Sequence, residues 1–193
     1  MTLLQRGTMV WLAIALGLGG YSSYLAVQRR TQQPTATETT SEQARLFDFT
    51  ESQIASIEIR RPEQSPLVFQ QESVATMQQW QMLTPEKKPA SRGAVSFLTN
   101  LLTQYQGADP FEVTSEQLVE YGFNGETTTV EIRLVDGTSR VLTFGELNFD
   151  QTKIYGRVGT ELQVWILPLD FLNSVTRDLQ EWTQIESTTD IFT

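Results

Sequence analysis

An uncharged stretch of 19 residues, Met9–Val27, constrains the fold of this chain more than any other feature. As an α-helix rising about 1.5 Å per residue, it would measure roughly 28 Å, close to the thickness of the hydrocarbon core of a bilayer. Trp11, Tyr21 and Tyr24 lie toward its ends, where amphipathic aromatic rings favour the membrane interface. The sequence therefore predicts a single transmembrane helix over 9–27, preceded by a short N-terminal tail over 1–8.

A cleaved signal peptide is the alternative interpretation, with Arg6 in its basic region and Met9–Gly20 as its apolar run. Because Tyr24 is bulky where a cleavage site needs a small residue, we expect an uncleaved anchor. Arg6 and the amino terminus on one side nearly balance Arg29–Arg30 on the other. The positive-inside rule therefore leaves the orientation open.

Three small residues, Ala15, Gly19 and Ser23, recur every four positions in this segment and would share one face of the helix. Small residues at this spacing allow two membrane helices to approach closely, so this face is a candidate for helix packing. The alternative is that Gly, Ala and Ser are simply common in membrane helices.

The residues after the predicted membrane helix have the composition of a flexible linker, which we place at 28–45. No large apolar residue occurs from Thr31 to Ala44, so this stretch cannot bury enough surface to offset the entropy of ordering it. Fully extended, such a stretch reaches on the order of 40 Å. We expect it to tether the following domain to the membrane.

The chain beyond Arg30 is strongly acidic. It holds 11 of the 14 Lys and Arg residues and all 23 Asp and Glu residues, which gives it a formal net charge of −12. Nucleic-acid binding requires clustered basic residues, so this balance argues against a nucleic-acid partner. Anionic lipid headgroups would also repel this part of the chain weakly.

The chain contains no histidine and no cysteine. This composition excludes disulfides, thiolate nucleophiles, imidazole acid–base chemistry, and zinc or haem sites with His or Cys ligands. A serine hydrolase would need a lysine base, and the sequence contains no S-x-x-K motif. We therefore predict a protein that is not an enzyme and has no cofactor.

Residues 46–183 have the pattern of a soluble α+β domain, followed by a C-terminal tail over 184–193. Strands are predicted on both sides of Asp136-Gly137, the strongest hairpin signal in the chain, at Thr129–Val135 and Ser139–Phe144. Further strand signals lie at 57–60, 67–69, 80–83, 154–158 and 163–167. The expected fold is an antiparallel β-sheet with a few packed helices.

Helices are predicted at two places in this domain. Ser91 can cap a helix with apolar residues at helical spacing from Val95 to Tyr105. A second helix follows Pro168, with Phe171 and Val175 on its apolar face, and we expect it to continue to Leu179 and Trp182. Near the middle of the domain, Thr114 and Gln117 are spaced as a capping box ahead of a short helix.

The sequence Ile57-Glu58-Ile59-Arg60 returns as Val130-Glu131-Ile132-Arg133, at an offset of 73 residues. The same offset places the Ser91–Tyr105 helix near the helix that follows Pro168. The domain would then consist of two similar sheet–helix units. The alternative is chance, because four alternating residues recur often.

Three glutamates, Glu112, Glu116 and Glu120, are spaced four apart and are candidates for a hard-metal or acid–base site. The alternative, which we favour, is a solvated face with acidic residues near a helix N-terminus, where the helix dipole favours them. We therefore predict no catalytic and no metal-binding residue.

A small basic cluster, Lys87, Lys88 and Arg92, precedes a predicted helix start, where an anion could bind. Three basic residues around Pro89 are more often an ordinary exposed loop. No interaction surface of the domain is assigned from the sequence.

The order of motifs in the domain resembles a known family. The motifs are Trp80-x-x-Leu83-x-Pro85, Ala90 ahead of the Val95/Leu98/Leu102 helix, Leu118-x-x-Tyr121-Gly122-Phe123, the Val130–Leu134 strand, Phe144-Gly145, Tyr155-x-Arg157 and Val164-x-Ile166. This order resembles the domain of unknown function 4340 family, in a short, single-anchor version of cyanobacterial type, over roughly Leu46–Trp182. Asn124-Gly125 departs from the family, which usually continues with Asp and soon Pro.

The resemblance implies an N-terminal membrane anchor and an α+β domain outside the cytoplasm, on the periplasmic or the thylakoid-lumenal side. Some members are encoded near ABC-type exporters, which implies an accessory role. No catalytic residues are established for the family, so none is transferred to this chain.

Three functions follow as expectations. The first is a single-pass membrane-anchored binding or scaffold protein, an accessory subunit of a membrane complex such as an ABC-type exporter. The second is an assembly or stabilising factor of a photosynthetic, thylakoid membrane complex. The third is a ligand-binding module or carboxylate-dependent enzyme of the cell envelope. The expected partners are a membrane protein complex and, through the N-terminal helix, the lipid bilayer.

Overall fold

The computed structural model describes residues 44–74 and 77–183, with no account of the side chains of 73–78. The predicted transmembrane helix over 9–27 lies outside these residues, together with its small-residue face at Ala15, Gly19 and Ser23. Within the described ranges, no helix is long and apolar enough to cross a membrane.

The described residues form eleven β-strands, two α-helices and three short 3-10 helices. The strands are β1 (Ala44–Arg45), β2 (Ile54–Arg60), β3 (Leu67–Val74), β4 (Met77–Thr84), β5 (Lys88–Pro89), β6 (Gln106–Gly107), β7 (Phe111–Glu112), β8 (Thr129–Leu134), β9 (Ser139–Leu147), β10 (Lys153–Val158) and β11 (Gln163–Pro168). The helices are α1 (Arg92–Gln104) and α2 (Leu169–Val175), with 3-10 helices at Glu51–Gln53, Gln117–Tyr121 and Leu179–Trp182. The prediction of an antiparallel α+β domain is confirmed.

Nine of the strands make one antiparallel sheet in the order β5-β4-β3-β2-β8-β9-β10-β11-β7. β1 and β6 pair separately. The sheet is therefore two meanders, β2 to β5 and β8 to β11, which meet where β2 pairs with β8.

Both α-helices contribute to one hydrophobic core with one face of the sheet. The alternation of apolar and polar residues turns Ile57 and Ile59 of β2 toward this core and leaves Glu58 on the opposite face. Ser91 accepts a hydrogen bond from the Ala94 amide (3.4 Å), which confirms the predicted cap of α1. A second, smaller apolar cluster lies on the other side of the sheet, where the 3-10 helix Gln117–Tyr121 packs against Tyr155 and Val164. We call the rest of that side, around β2 and β8, the open face.

The second helix is shorter than predicted. It ends at Val175, and Leu179 and Trp182 belong to a separate 3-10 helix. The break has a local cause: Asp178 adopts an extended conformation and starts a new capping box with Glu181. Trp182 is nevertheless fully buried, as part of the same core.

In the strand pairings, corresponding residues of the two meanders lie 73 positions apart, the same offset as in the sequence. Glu58 pairs with Glu131, the residue 73 positions later. Ile57 pairs with Phe69 in the first meander, and Val130 pairs with Leu142 in the second, again 73 positions on for both partners. The recurring four-residue pattern therefore occupies corresponding positions in two hairpins that are joined through their first strands.

The pairing of Glu58 with Glu131 brings two carboxylates opposite each other on the open face, which by itself is unfavourable. Arg60 lies between them, with Nε 2.8 Å from Glu58 Oε1 and Nη1 3.7 Å from Glu131 Oε2. Arg133 Nη2 lies 3.8 Å from Glu131 Oε1. The charges of this patch are therefore largely compensated within it.

Candidate protein-interaction surface

The structure separates the glutamates that the sequence singled out. Glu112 lies in β7, Glu116 precedes the 3-10 helix and Glu120 lies within it, all three exposed. No group of three or more acidic residues in the described part of the chain is placed to hold a metal ion. Thr114 and Gln117 exchange the two hydrogen bonds of the predicted capping box, at 2.9 and 3.3 Å.

The basic cluster is distributed over neighbouring ion pairs. Lys87 Nζ lies 3.4 Å from Glu72 Oε1, and Lys88 Nζ lies 2.9 Å from Glu86 Oε2. Arg92 is exposed at the first residue of α1. These contacts agree with the interpretation of this loop as an ordinary exposed segment.

A surface that the sequence analysis did not find lies at the hairpin between β9 and β10. Phe149, at the tip of this hairpin, is fully exposed, with a relative accessibility of 105%. Leu147, two residues earlier, is 40% exposed. Phe149 is the most exposed of the large hydrophobic residues in the described part of the chain, so its ring contributes nothing to the core and is free to make a contact outside the domain.

The loop that presents Phe149 is ordered by its own polar residues. Asn148 Oδ1 accepts hydrogen bonds from the amides of Thr152 (3.0 Å) and Lys153 (2.8 Å). Asp150 Oδ1 accepts two more, from the Thr152 amide (3.0 Å) and hydroxyl (2.6 Å). Phe149 is thus presented by a preorganised turn, which lowers the entropy cost of using it in a contact.

The same turn chemistry occurs at the other end of β9. In the sequence Val135-Asp136-Gly137-Thr138, Asp136 Oδ1 accepts hydrogen bonds from the Thr138 amide (2.8 Å) and hydroxyl (2.7 Å). Val135 precedes its aspartate as Phe149 precedes Asp150, and it is also exposed. The Asp–Thr hydrogen bonds therefore stabilise the turns at both ends of β9. The two turns differ in the exposed residue before the aspartate, which is a valine in the first and a phenylalanine in the second.

A cleft of about 410 Å³ adjoins the Phe149 hairpin. Its apolar lining includes Phe144 and Ile154, both nearly fully buried, and Leu172 of α2. Leu147 also lines the cleft and thereby connects it to the tip. We call the cleft, Leu147 and Phe149 together the tip surface.

Three carboxylates lie at the tip surface. Glu126 and Glu146 line the cleft and are exposed. At the tip itself, the hydrogen bonds from the Thr152 side chain and amide lower the pKa of the Asp150 carboxyl, which keeps it charged in mildly acidic solution as well. The nearby Lys153 offsets part of this negative charge.

The tip surface lies where the two meanders differ. The last residue pair of the β3–β4 hairpin, Val74 and Met77, encloses two residues, whereas the last pair of the β9–β10 hairpin, Leu147 and Ile154, encloses six. The additional residues carry Phe149. Binding residues occur disproportionately on loops that a rigid scaffold positions, and the β9–β10 loop is positioned by the two paired strands that it joins.

No protein-family model matches the chain, and no curated protein and no solved structure matches it.

Proposed function

We propose that the chain is a non-enzymatic, single-pass membrane-anchored binding or scaffold protein, whose acidic α+β domain contacts a membrane protein complex. The observation that carries the proposal is Phe149, a fully exposed aromatic residue on a loop ordered by four side-chain hydrogen bonds. Aromatic side chains are enriched among the residues that dominate binding energy at protein interfaces.

The sequence, and not the described domain, supports the proposed membrane attachment, the side of the membrane that the domain faces and the identity of the partner. The uncharged Met9–Val27 segment supports attachment through one helix, and residues 28–45 would give the domain the reach of a tether. Through the resemblance described above, an ABC-type exporter on the cytoplasmic membrane is the proposed partner, with the domain on the periplasmic side. In a thylakoid membrane the domain would face the lumen.

Affinity purification of the full chain from native membranes in mild detergent tests this function. With a C-terminal tag, we expect permease subunits to be recovered in stoichiometric amount, and we expect Phe149→Ala to reduce that recovery about 10- to 30-fold. Photosystem or assembly-intermediate subunits in place of permease subunits would favour the photosynthetic assembly factor instead. Reproducible recovery of the tagged protein alone would contradict a scaffold role.

We also propose that the domain consists of two similar sheet–helix units, β2 to α1 and β8 to α2. The strand registers that share the offset of 73 residues support it. Under this proposal, Ile59 and Ile132 occupy equivalent positions, and both are fully buried in the one core.

Matched truncations test the equivalence. Ile59→Ala and Ile132→Ala should each lower the free energy of unfolding by about 2–5 kcal/mol, because each removes three buried carbons and leaves a cavity. If the two environments are equivalent, the two losses should agree within about 1 kcal/mol. Urea unfolding of the full chain gives both values, and a much larger disagreement would argue against two similar units.

A further inference from the structure

We propose that the tip surface binds a short segment of a partner protein in which an apolar side chain lies between Lys or Arg residues. This inference rests on the binding role proposed above and names the chemistry of the partner. Three features of the tip surface carry it: the exposed ring of Phe149, the apolar lining of the cleft, and the carboxylates at Glu126 and Glu146.

The apolar features define the centre of the contact. The half-buried Leu172 offers apolar surface to a cleft of about 410 Å³, which is large enough to receive one apolar side chain, and the nearly fully buried Phe144 and Ile154 also line it. Leu147, which also lines the cleft, is 40% exposed, and Phe149, two residues later in the chain, is fully exposed, so the two residues offer further apolar surface. Interfaces are typically built in this way, with a desolvated apolar centre and a polar rim.

The charges around the centre select the partner. Glu126 and Glu146 line the cleft, and Asp150 lies next to Phe149. Basic groups flanking the inserted side chain would meet these carboxylates, and such complementarity steers association and rejects acidic competitors. A basic, partly apolar peptide segment would place its apolar side chain at the apolar centre and its basic groups against the carboxylates around that centre.

The same carboxylates disfavour the two other occupants of such a surface. An anionic lipid surface would be repelled by Glu126, Glu146 and Asp150, although an exposed Phe alone would suit a membrane interface. In a symmetric pair of two copies, these carboxylates would face each other across the contact. A protein segment of opposite charge carries neither cost.

Site-specific photocrosslinking in native membranes identifies the occupant directly. The full chain carries Phe149→p-benzoylphenylalanine, and the matched control carries Val135→p-benzoylphenylalanine in the similar turn at the other end of β9. We expect crosslinks from position 149 at about tenfold higher yield than from position 135. Mass spectrometry should map them to an apolar residue with basic residues on both sides.

The rim is tested in the same experiment by the double variant Glu126→Gln, Glu146→Gln. Removing both charges should lower the yield from position 149 several-fold and make the remaining yield less sensitive to added salt. An unchanged yield, or a crosslinked segment that is neutral or acidic, would overturn the proposed chemistry. Crosslinks to lipid or to a second copy of the chain would overturn it as well.

The experiment separates this inference from the function on which it rests. If affinity purification recovers a partner complex but position 149 gives no more crosslinks than position 135, the scaffold function stands and the tip surface is wrong. If purification recovers no partner and neither position crosslinks to protein, the scaffold function itself fails. Melting temperatures of both crosslinker variants, which should equal that of the unmodified chain, exclude unfolding as the cause.

Discussion

Phe171→Ala should lower the free energy of unfolding by about 3–5 kcal/mol, the range typical of a buried phenylalanine that is truncated. Phe171 of α2 is fully buried in the core between helices and sheet. Its ring meets that of Tyr105 edge-on, with centroids 5.2 Å apart and an interplanar angle of 89°. Truncation therefore removes both core volume and a favourable aromatic contact.

The effect should extend to the connection between α1 and the sheet. Tyr105 follows α1, and its hydroxyl donates a hydrogen bond to the Ile166 carbonyl of β11 (3.2 Å). Without the Phe171 ring against it, Tyr105 loses the packing that orients this hydroxyl. We expect the loss of stability to lie near the upper end of the range for this reason.

Phe149→Ala is the matched control, because it makes the same chemical change at a fully exposed position. It should change the free energy of unfolding by no more than about 0.5 kcal/mol. Urea denaturation of both variants of the full chain, followed by tryptophan fluorescence, measures the contrast. Equal losses at both positions would mean that Phe149 is part of the folded core, and would remove the basis of the tip surface.

Gly122→Ala is the second substitution with a large expected effect. Gly122 ends the 3-10 helix with φ +84°, in the left-handed region that costs an L-residue about 1–2 kcal/mol. A Cβ atom there would also lie 2.5 Å from the backbone nitrogen of Glu146 in β9, an atom that cannot rotate away. Relieving such an overlap costs about 1–3 kcal/mol more, for a total of about 2–5 kcal/mol.

Gly137→Ala separates the two causes. Gly137 has nearly the same φ, +85°, but a Cβ atom there would meet nothing within 4 Å. We expect this variant to lose only the conformational part, about 1–2 kcal/mol. Thermal unfolding of both variants measures the difference between the two losses of stability, which is the cost of the close approach of the Tyr121-Gly122-Phe123 turn to β9. Equal losses would show that the turn can move away from the sheet without cost.

The sequence predicted the elements whose causes are local. Asp136-Gly137 marked the β8–β9 hairpin because few residues other than glycine tolerate the positive φ of that turn. Ser91 and the Thr114/Gln117 box marked helix starts because a side-chain oxygen there satisfies an amide that has no partner in the helix. The end of α2 was predicted too late, because the apolar spacing through Leu179 and Trp182 obscured the new start at Asp178.

The tip surface could not be predicted in the same way. Phe149 follows an alternating strand and has the residue type of a core position, and only the length of the β9–β10 loop puts it in water. The cleft depends on residues from five places in the chain, represented by Pro62, Glu126, Leu147, Ile154 and Leu172. The sequence signal that was available was Asn148 and Asp150, two turn-forming residues on either side of an aromatic one.

The two outer strands of the nine-stranded sheet determine how the domain behaves when many copies are crowded together. β5 and β7 are each two residues long, and β5 consists of Lys88 and Pro89. Strands this short, one with a charged residue and a residue that lacks an amide hydrogen, give a neighbouring chain little backbone to pair with. A sheet of nine strands can thereby be held at high local density with little tendency to grow into fibrils, and contacts between molecules are left to side chains.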